Sequence, residues 1–243
     1  QDLDARLCPE ELREARRVLA AALVQARAFG ARVILVEGNR EAVARAAQDA
    51  AAADPTAFYA SHNWHPVFVE GVKTWALEVW EGLGGRSPGV AFVPTGGGSA
   101  FVGARRGFQA AGGALPRLVA AQPAACAPIV AAAGGNGPMV VTPGATIAEG
   151  TRIGAPARPR QILAALRDSG GWAEAVTEAG IVAALRELWA QGLYVEPTCA
   201  VAAAACRAWL ARMPDLPDAP IVVLLTGSGL KATDTIATLL AAC

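Results

Sequence analysis

The chain is predicted to be an α/β protein built on a mainly parallel sheet with helices on both faces, and three observations carry that prediction. Short apolar segments alternate with segments of helical periodicity along most of the 243 residues. Two glycine-rich turns, Gly96-Gly97-Gly98-Ser99 and Thr226-Gly227-Ser228-Gly229, each follow an apolar strand-like run. A composition of 53% hydrophobic and 17% charged residues supplies enough apolar side chains to cover such a sheet twice. In parallel sheets ligands bind at the carboxyl ends of strands, so both glycine turns are expected to border one pocket.

The elements follow in order. Pro9 to Phe29 places Leu12, Ala15, Leu19, Ala22, Leu23 and Ala26 on one helical face, and Gly30 closes the helix. Arg32 to Val36 is short and β-branched and reads as a buried strand. A helix from Asn39, a suitable N-cap, runs through Ala52 until Asp54-Pro55 ends it, and Phe58-Tyr59-Ala60 reads as another short strand. Beyond the polar turn Ser61 to Pro66 come a helix over Val67–Leu83, a strand over Val90–Val93, a helix over Ala100–Ala111 and a strand over Arg117–Ala121. From about Ala131 to Arg158 glycine and proline are too frequent for a routine connection, so this stretch reads as an excursion over an active site or interface, or as a flap. Helices resume over Pro159–Ser169, Ile181–Gln191 and Thr198–Met213, and the apolar strand Ile221–Leu225 leads into the second glycine turn.

Composition excludes several function classes. Lys+Arg and Asp+Glu both number 21, so no net field recruits nucleic acid or an anionic membrane. No apolar run reaches the roughly 18 residues a membrane span needs, and the N-terminal residues carry no basic-then-apolar leader pattern, so a cytoplasmic protein is expected. The five cysteines (Cys8, Cys126, Cys199, Cys206, Cys243) have scattered spacing that suits reduced thiols better than a disulfide framework or zinc. His62 and His65 lack a nearby third ligand, and a packed turn or substrate-lining role is preferred to a metal site.

Gly96 to Ser99 reads in two ways. Without Cβ atoms, successive backbone N–H groups can converge on an anion while the following helix adds its dipole, which makes a phosphate cradle; an ordinary glycine-rich turn is the alternative. A dinucleotide fingerprint fails because Phe101 occupies the place of its third glycine, and a P-loop fails because no Gly-Lys-Ser/Thr follows. Gly98-Ser99-Ala100 lacks the G-x-S-x-G nucleophile elbow. Lys73 and Lys231 are the only lysines, and solvated or ion-paired roles suit each better than Schiff-base chemistry.

Five separated segments together resemble the fold type II pyridoxal-phosphate enzymes, the tryptophan synthase β-like family, and within it the threonine synthase-like members. Ala26 to Gly38 resembles the family's "A-x-x-Y-G-A-x-V-x-x-V-x-G" unit, and Asn63 to Thr74 its "N-P-x-x-x-E-G-x-K-T" segment. Pro94 to Ser99 resembles the phosphate loop. Val195-Glu196-Pro197-Thr198-Cys199-Ala200 is similar to "V-E-P-x-S-A", with Cys199 where serine is usual, and Leu225 to Lys231 is similar to "L-T-G-x-G-L-K".

The resemblance implies a mainly parallel three-layer αβα fold of two lobes with the first lobe incomplete: residues 1–58 as the remnant of the smaller lobe and 59–243 as the cofactor-phosphate lobe. It implies pyridoxal 5'-phosphate as cofactor, with Gly96, Gly97, Gly98 and Ser99 holding the phosphate and Thr226, or failing it Ser228, meeting the ring nitrogen with a neutral hydroxyl. The family's Schiff-base lysine, in an upstream "S-x-K-D-R" segment, has no counterpart here, so no catalytic residue is assigned and the chain reads as the C-terminal portion of such an enzyme. The expected function is that of a lyase acting on a small amino acid or its phosphorylated derivative by β- or γ-elimination or replacement, with a homodimer usual for the family; the alternative is an inactive phosphate- or cofactor-binding or interaction module.

Overall fold

The structure is a computed structural model of the chain, and it describes residues 23–37, 40–61, 65–135, 137–215 and 218–241. It divides into two compact units, Gln1–Tyr59 and Ala60–Cys243.

In the first unit, residues 23–28 are helical and Gly30, with φ 81°, turns the chain out of the helix. The Ala31 N–H then reaches the Ala26 carbonyl at 3.0 Å, the bond of a Schellman-type end. The expected strand over Arg32–Val36 is not formed: residues 31–37 are irregular, and Ile34 and Leu35 are 66% and 68% exposed. A strand exists only against a partner ladder, and among the described residues of this unit no second extended segment pairs with it. Phe58 to Ala60 is irregular for the same reason. Helix α1 spans Arg40–Ala53. The expected helix before Leu23 and the expected N-cap Asn39 lie outside the described residues.

The second unit carries the sheet. Helices α2 (Pro66–Val72) and α3 (Thr74–Gly82) precede strand β1 (Val90–Pro94), helix α4 (Ser99–Ala110) and strand β2 (Arg117–Pro123). Helices α5 (Pro128–Ala133) and α6 (Pro159–Ser169) lead to strand β3 (Trp172–Val176), then helices α7 (Glu178–Ala190) and α8 (Pro197–Leu210), strand β4 (Ile221–Val223) and helix α9 (Thr233–Ala241). All pairings are parallel and the strand order is β3-β2-β1-β4.

β1 is central and buried along its whole length, which explains its unbroken apolar run. Val90 and Phe92, with Val119 and Ala121 of β2, face a layer containing Ile181, Leu185 and the alanine-rich side of α8. Ala91 and Val93, with Leu118 and Ala120, face Phe101 and Phe108 of α4 and Ile162 and Leu166 of α6. The result is a three-layer αβα arrangement.

The single helix expected over Val67–Leu83 is two helices that break at Lys73. The break seats the chain on α4: a Cβ at Gly107 would collide with the Lys73 carbonyl, and one at Gly103 would lie 3.2 Å from the Lys73 nitrogen. The Gly-x-x-x-Gly spacing of α4 is therefore a close-approach surface. Strand β3 and helix α9 are additions to the sequence reading, and β4 ends at Val223, two residues before the expected limit.

Candidate cofactor-phosphate site

Both glycine turns leave the same edge of the sheet from adjacent strands. β1 and β4 pair with Val90 opposite Ile221 and Phe92 opposite Val223, and the Leu224 N–H continues the ladder to the Phe92 carbonyl at 3.0 Å. Thr95 and Thr226 each lie three residues beyond Phe92 and Val223, the last β1–β4 pair.

The first turn is built from close contacts that exclude side chains. Gly98, with φ 98°, is the N-cap of α4, and a Cβ there would lie 2.6 Å from Ile162 Cδ1. A Cβ on Gly96 would lie 2.8 Å from the Gly150 carbonyl. No backbone hydrogen bond among the described residues uses the N–H groups of Gly96, Gly97 or Gly98. Helix α4 begins with no side-chain cap and no acidic residue in its first turn, so no side chain of its own offsets the positive end of its dipole. Donors without backbone acceptors at a helix start are what a phosphate needs, and the residues present fit that group. Ser99 is the first residue of α4.

Sequence reasoning missed two residues behind this turn. Thr95 is 1% exposed; its hydroxyl donates to the Val93 carbonyl at 2.9 Å and its N–H to the Ala121 carbonyl at 2.9 Å. The fully buried Gln122 donates through Nε2 to the Thr95 carbonyl at 3.0 Å. A lone amide inside the apolar run Leu118 to Pro123 was the available signal.

The glycine- and proline-rich excursion is a packed wall of the turn. The Glu178 carboxylate accepts from the Ile147 N–H at 2.6 Å, the Thr198 hydroxyl accepts from the Gly150 N–H at 3.1 Å, and Thr151 is buried. The short helical turn Glu149–Thr151 is what presses on Gly96.

The second turn is held from below by the segment before α8. Val195 bridges Ser228, the Glu196 N–H donates to the Gly227 carbonyl at 3.1 Å, and the Gly229 N–H donates to the Tyr194 carbonyl at 3.0 Å. A Cβ at Gly227 would strike the Glu196 carboxylate, and one at Gly229 would lie 2.8 Å from the Tyr194 ring. Cys199, fully buried, accepts at Sγ from the N–H groups of Thr226 and Gly227, each at 3.1 Å. Thr226 is exposed beside it. Ser228 is also exposed, but its hydroxyl accepts the Leu230 N–H at 3.2 Å and caps the turn Gly229–Ala232. Of the two hydroxyls, Thr226 is the one without a local capping task.

The Glu70 to Thr74 segment supports α4 from the outside. The Glu70 carboxylate pairs with Lys73 Nζ at 2.6 Å and with Arg106 of α4, and these two cations, Lys73 foremost, hold its carboxyl below the usual range. His65 is the N-cap of α2, its Nδ1 accepting from the Val67 N–H at 3.3 Å; His62, Cys8 and Cys243 lie outside the described residues. Among the described residues no cluster of three His, Cys, Asp or Glu side chains could hold a metal, and no helix is long and apolar enough to cross a membrane.

Comparison with known proteins accords with this geometry. Threonine synthase of Methanocaldococcus jannaschii is 32% identical over 227 residues, covering 90% of this chain and 55% of that protein. Threonine synthase of Synechocystis is 33% identical over 218 residues, covering 87% and 54%. The chain thus spans about half the length of these curated relatives. The processed form of threonine deaminase isoform 2 from Solanum lycopersicum superposes with a TM-score of 0.70 at 20% identity over 89% of this chain and 62% of that one, a likeness of fold. Residues 15–227 match the family of pyridoxal-phosphate dependent enzymes, and the chain is a member of that family.

Proposed function

We propose that this chain supplies the cofactor-phosphate lobe of a pyridoxal-phosphate-dependent lyase acting on a small amino acid or its phosphorylated derivative by β- or γ-elimination or replacement. The observation that carries the reading is the departure of both glycine turns from the carboxyl ends of adjacent parallel strands. Residues 59–243 are assigned to that lobe and 1–58 to the remainder of the smaller one, in a cytoplasmic homodimer.

When bound, pyridoxal phosphate supplies an electron sink for bonds broken at the substrate α carbon. The N–H groups of Gly96, Gly97, Gly98 and Ser99 grip its phosphate with the dipole of α4 behind them. The Thr226 hydroxyl meets the ring nitrogen as a neutral partner, and Cys199 fixes the backbone that carries it. The wall Glu149–Thr151 limits the width of the cradle.

A second reading, a cofactor-phosphate-binding module without catalysis, is favoured by one observation: Lys73 is tied to Glu70. An assay for ammonia or phosphate release from small amino acids by the chain combined with a polypeptide that carries the family's lysine segment separates the two: release is expected under the first reading and none under the second. The binding assignment itself is tested by Gly97→Asp, which sets a carboxylate in the cradle. Titration with pyridoxal 5'-phosphate is expected to show saturable binding by the wild-type chain and none by the variant; equal affinity of the two ends the loop assignment.

A further inference from the structure

We infer that Gln122 is a positioning residue for the anion cradle: its buried carboxamide aims the first donor, the Gly96 N–H. The inference rests on the cofactor reading above for its ligand, and on the geometry of this chain for its mechanism.

Gln122 sits in β2, one residue from its end, with no exposed surface. Its Nε2 donates to the Thr95 carbonyl at 3.0 Å, and its Oε1 accepts from the N–H groups of Ile129 and Val130 at 2.8 and 3.3 Å. One side chain therefore joins the start of the glycine turn to the first turn of α5. The two sides have different chemistry: an N–H donor serves the turn and a carbonyl acceptor serves the helix.

The Thr95 carbonyl and the Gly96 N–H belong to one planar peptide, and among the described residues no peptide bond is cis. In a trans peptide these two groups point to opposite sides. Holding the oxygen toward the buried carboxamide turns the Gly96 N–H away from it. The Thr95 N–H bond to Ala121 and the hydroxyl bond to Val93 remove the remaining freedom on the N-terminal side. Gly96 has no side chain to limit its own φ and ψ, so the restraint has to come from a neighbour. A donor aimed before the anion arrives avoids the ordering cost that a mobile loop would bear on binding.

Gln122→Met keeps the length of the side chain and removes its N–H donor, so the tie to the turn goes without leaving a carboxyl that could donate to Thr95 in its place. In NMR relaxation of the unliganded full chain, the order parameter of the Gly96 N–H is expected to fall from about 0.85, a rigid backbone, to below about 0.6, with Leu118 to Ala121 unchanged. Affinity for pyridoxal 5'-phosphate is expected to fall about tenfold, while affinity for pyridoxal, which lacks the phosphate, stays the same. An unchanged Gly96 order parameter in folded Gln122→Met overturns the inference. A wild-type chain that binds no pyridoxal phosphate, with the Gly96 order parameter falling in the variant, overturns the cofactor reading and upholds the positioning role. If the variant does not fold, the Gln122 side-chain NH2 protons of the wild-type chain carry the test: protection from solvent exchange is expected, and exchange at the rate of a free glutamine side chain overturns the inference.

Discussion

The sulfur of Cys199 holds the backbone of Thr226: Sγ accepts the Thr226 N–H at 3.1 Å and lies 3.7 Å from the Thr226 hydroxyl. It also accepts the Gly227 N–H and donates to the Gly227 carbonyl at 3.3 Å. Cys199 stands in the first turn of α8, so one buried thiol sets the height of the second glycine turn against a rigid helix. Cys199→Ala leaves two N–H donors without an acceptor and is expected to cost about 2 kcal/mol. Cys199→Ser restores an acceptor and is expected to recover more than half of that. Urea unfolding of the two variants checks both values; equal losses would mean that cavity volume, not hydrogen bonding, is what the sulfur contributes.

Gly98 combines a left-handed backbone, φ 98°, with a contact that leaves no room for Cβ beside Ile162. Gly98→Ala is therefore expected to destabilise the chain by about 2–3 kcal/mol through strain and overpacking together. The double variant Gly98→Ala/Ile162→Val is expected to regain only part of the steric loss, since it removes Cδ1 but leaves Cγ1 2.9 Å from the added Cβ, and the backbone strain remains. Thermal melts of the single and double variants measure the difference.

Burial pushes the Cys206 thiol up from its ordinary value of 9.0 to about 11. The neutral form is the favoured one in the folded chain, so above pH 9 the unfolded thiol loses its proton while the folded one keeps it. The unfolded state then binds fewer protons, and stability falls as pH rises from about 9 to about 11, by at most roughly 3 kcal/mol from this group. Cys206→Ala is expected to unfold with a shallower pH dependence across that window. Equal slopes for wild type and variant would contradict the assignment.

Lys73 is engaged by Glu70, and Lys231 lies in the exposed turn Gly229–Ala232. Pyridoxal phosphate is accordingly expected to bind this chain without a covalent link. Borohydride treatment of the loaded protein followed by peptide mapping is expected to return both lysines unmodified; a reduced adduct on either would place the cofactor carbonyl beside it.

The legibility of this fold in its sequence followed burial. β1 was readable because a central parallel strand is apolar on both faces, and α4, α6 and α8 because their apolar stripes match the helical period. β3 was not, because Trp172-Ala-Glu-Ala-Val is an edge strand that carries a charged residue on its core-facing side: Glu174 lies on the face of Trp172 and Val176 and makes a two-pronged bond with Arg212 at 3.0 and 2.9 Å. Arg32 to Val36 has the composition of a strand, yet composition does not supply the neighbouring ladder. At the site, the glycines were legible as a pattern, whereas Gln122 and the packing of Glu149 to Thr151 on Gly96 depend on contacts between residues far apart in the chain. Cys199 stood out only as a departure from serine, and its role emerged from where the second turn lies.

The proposed grip on the cofactor phosphate is tested most directly by calorimetric titration of the wild-type chain with pyridoxal 5'-phosphate and, separately, with pyridoxal. Saturable binding of pyridoxal phosphate, at least about tenfold tighter than pyridoxal, is the predicted result for a grip built from charge-assisted N–H donors. Equal affinity for the two, or no binding of either, would contradict it.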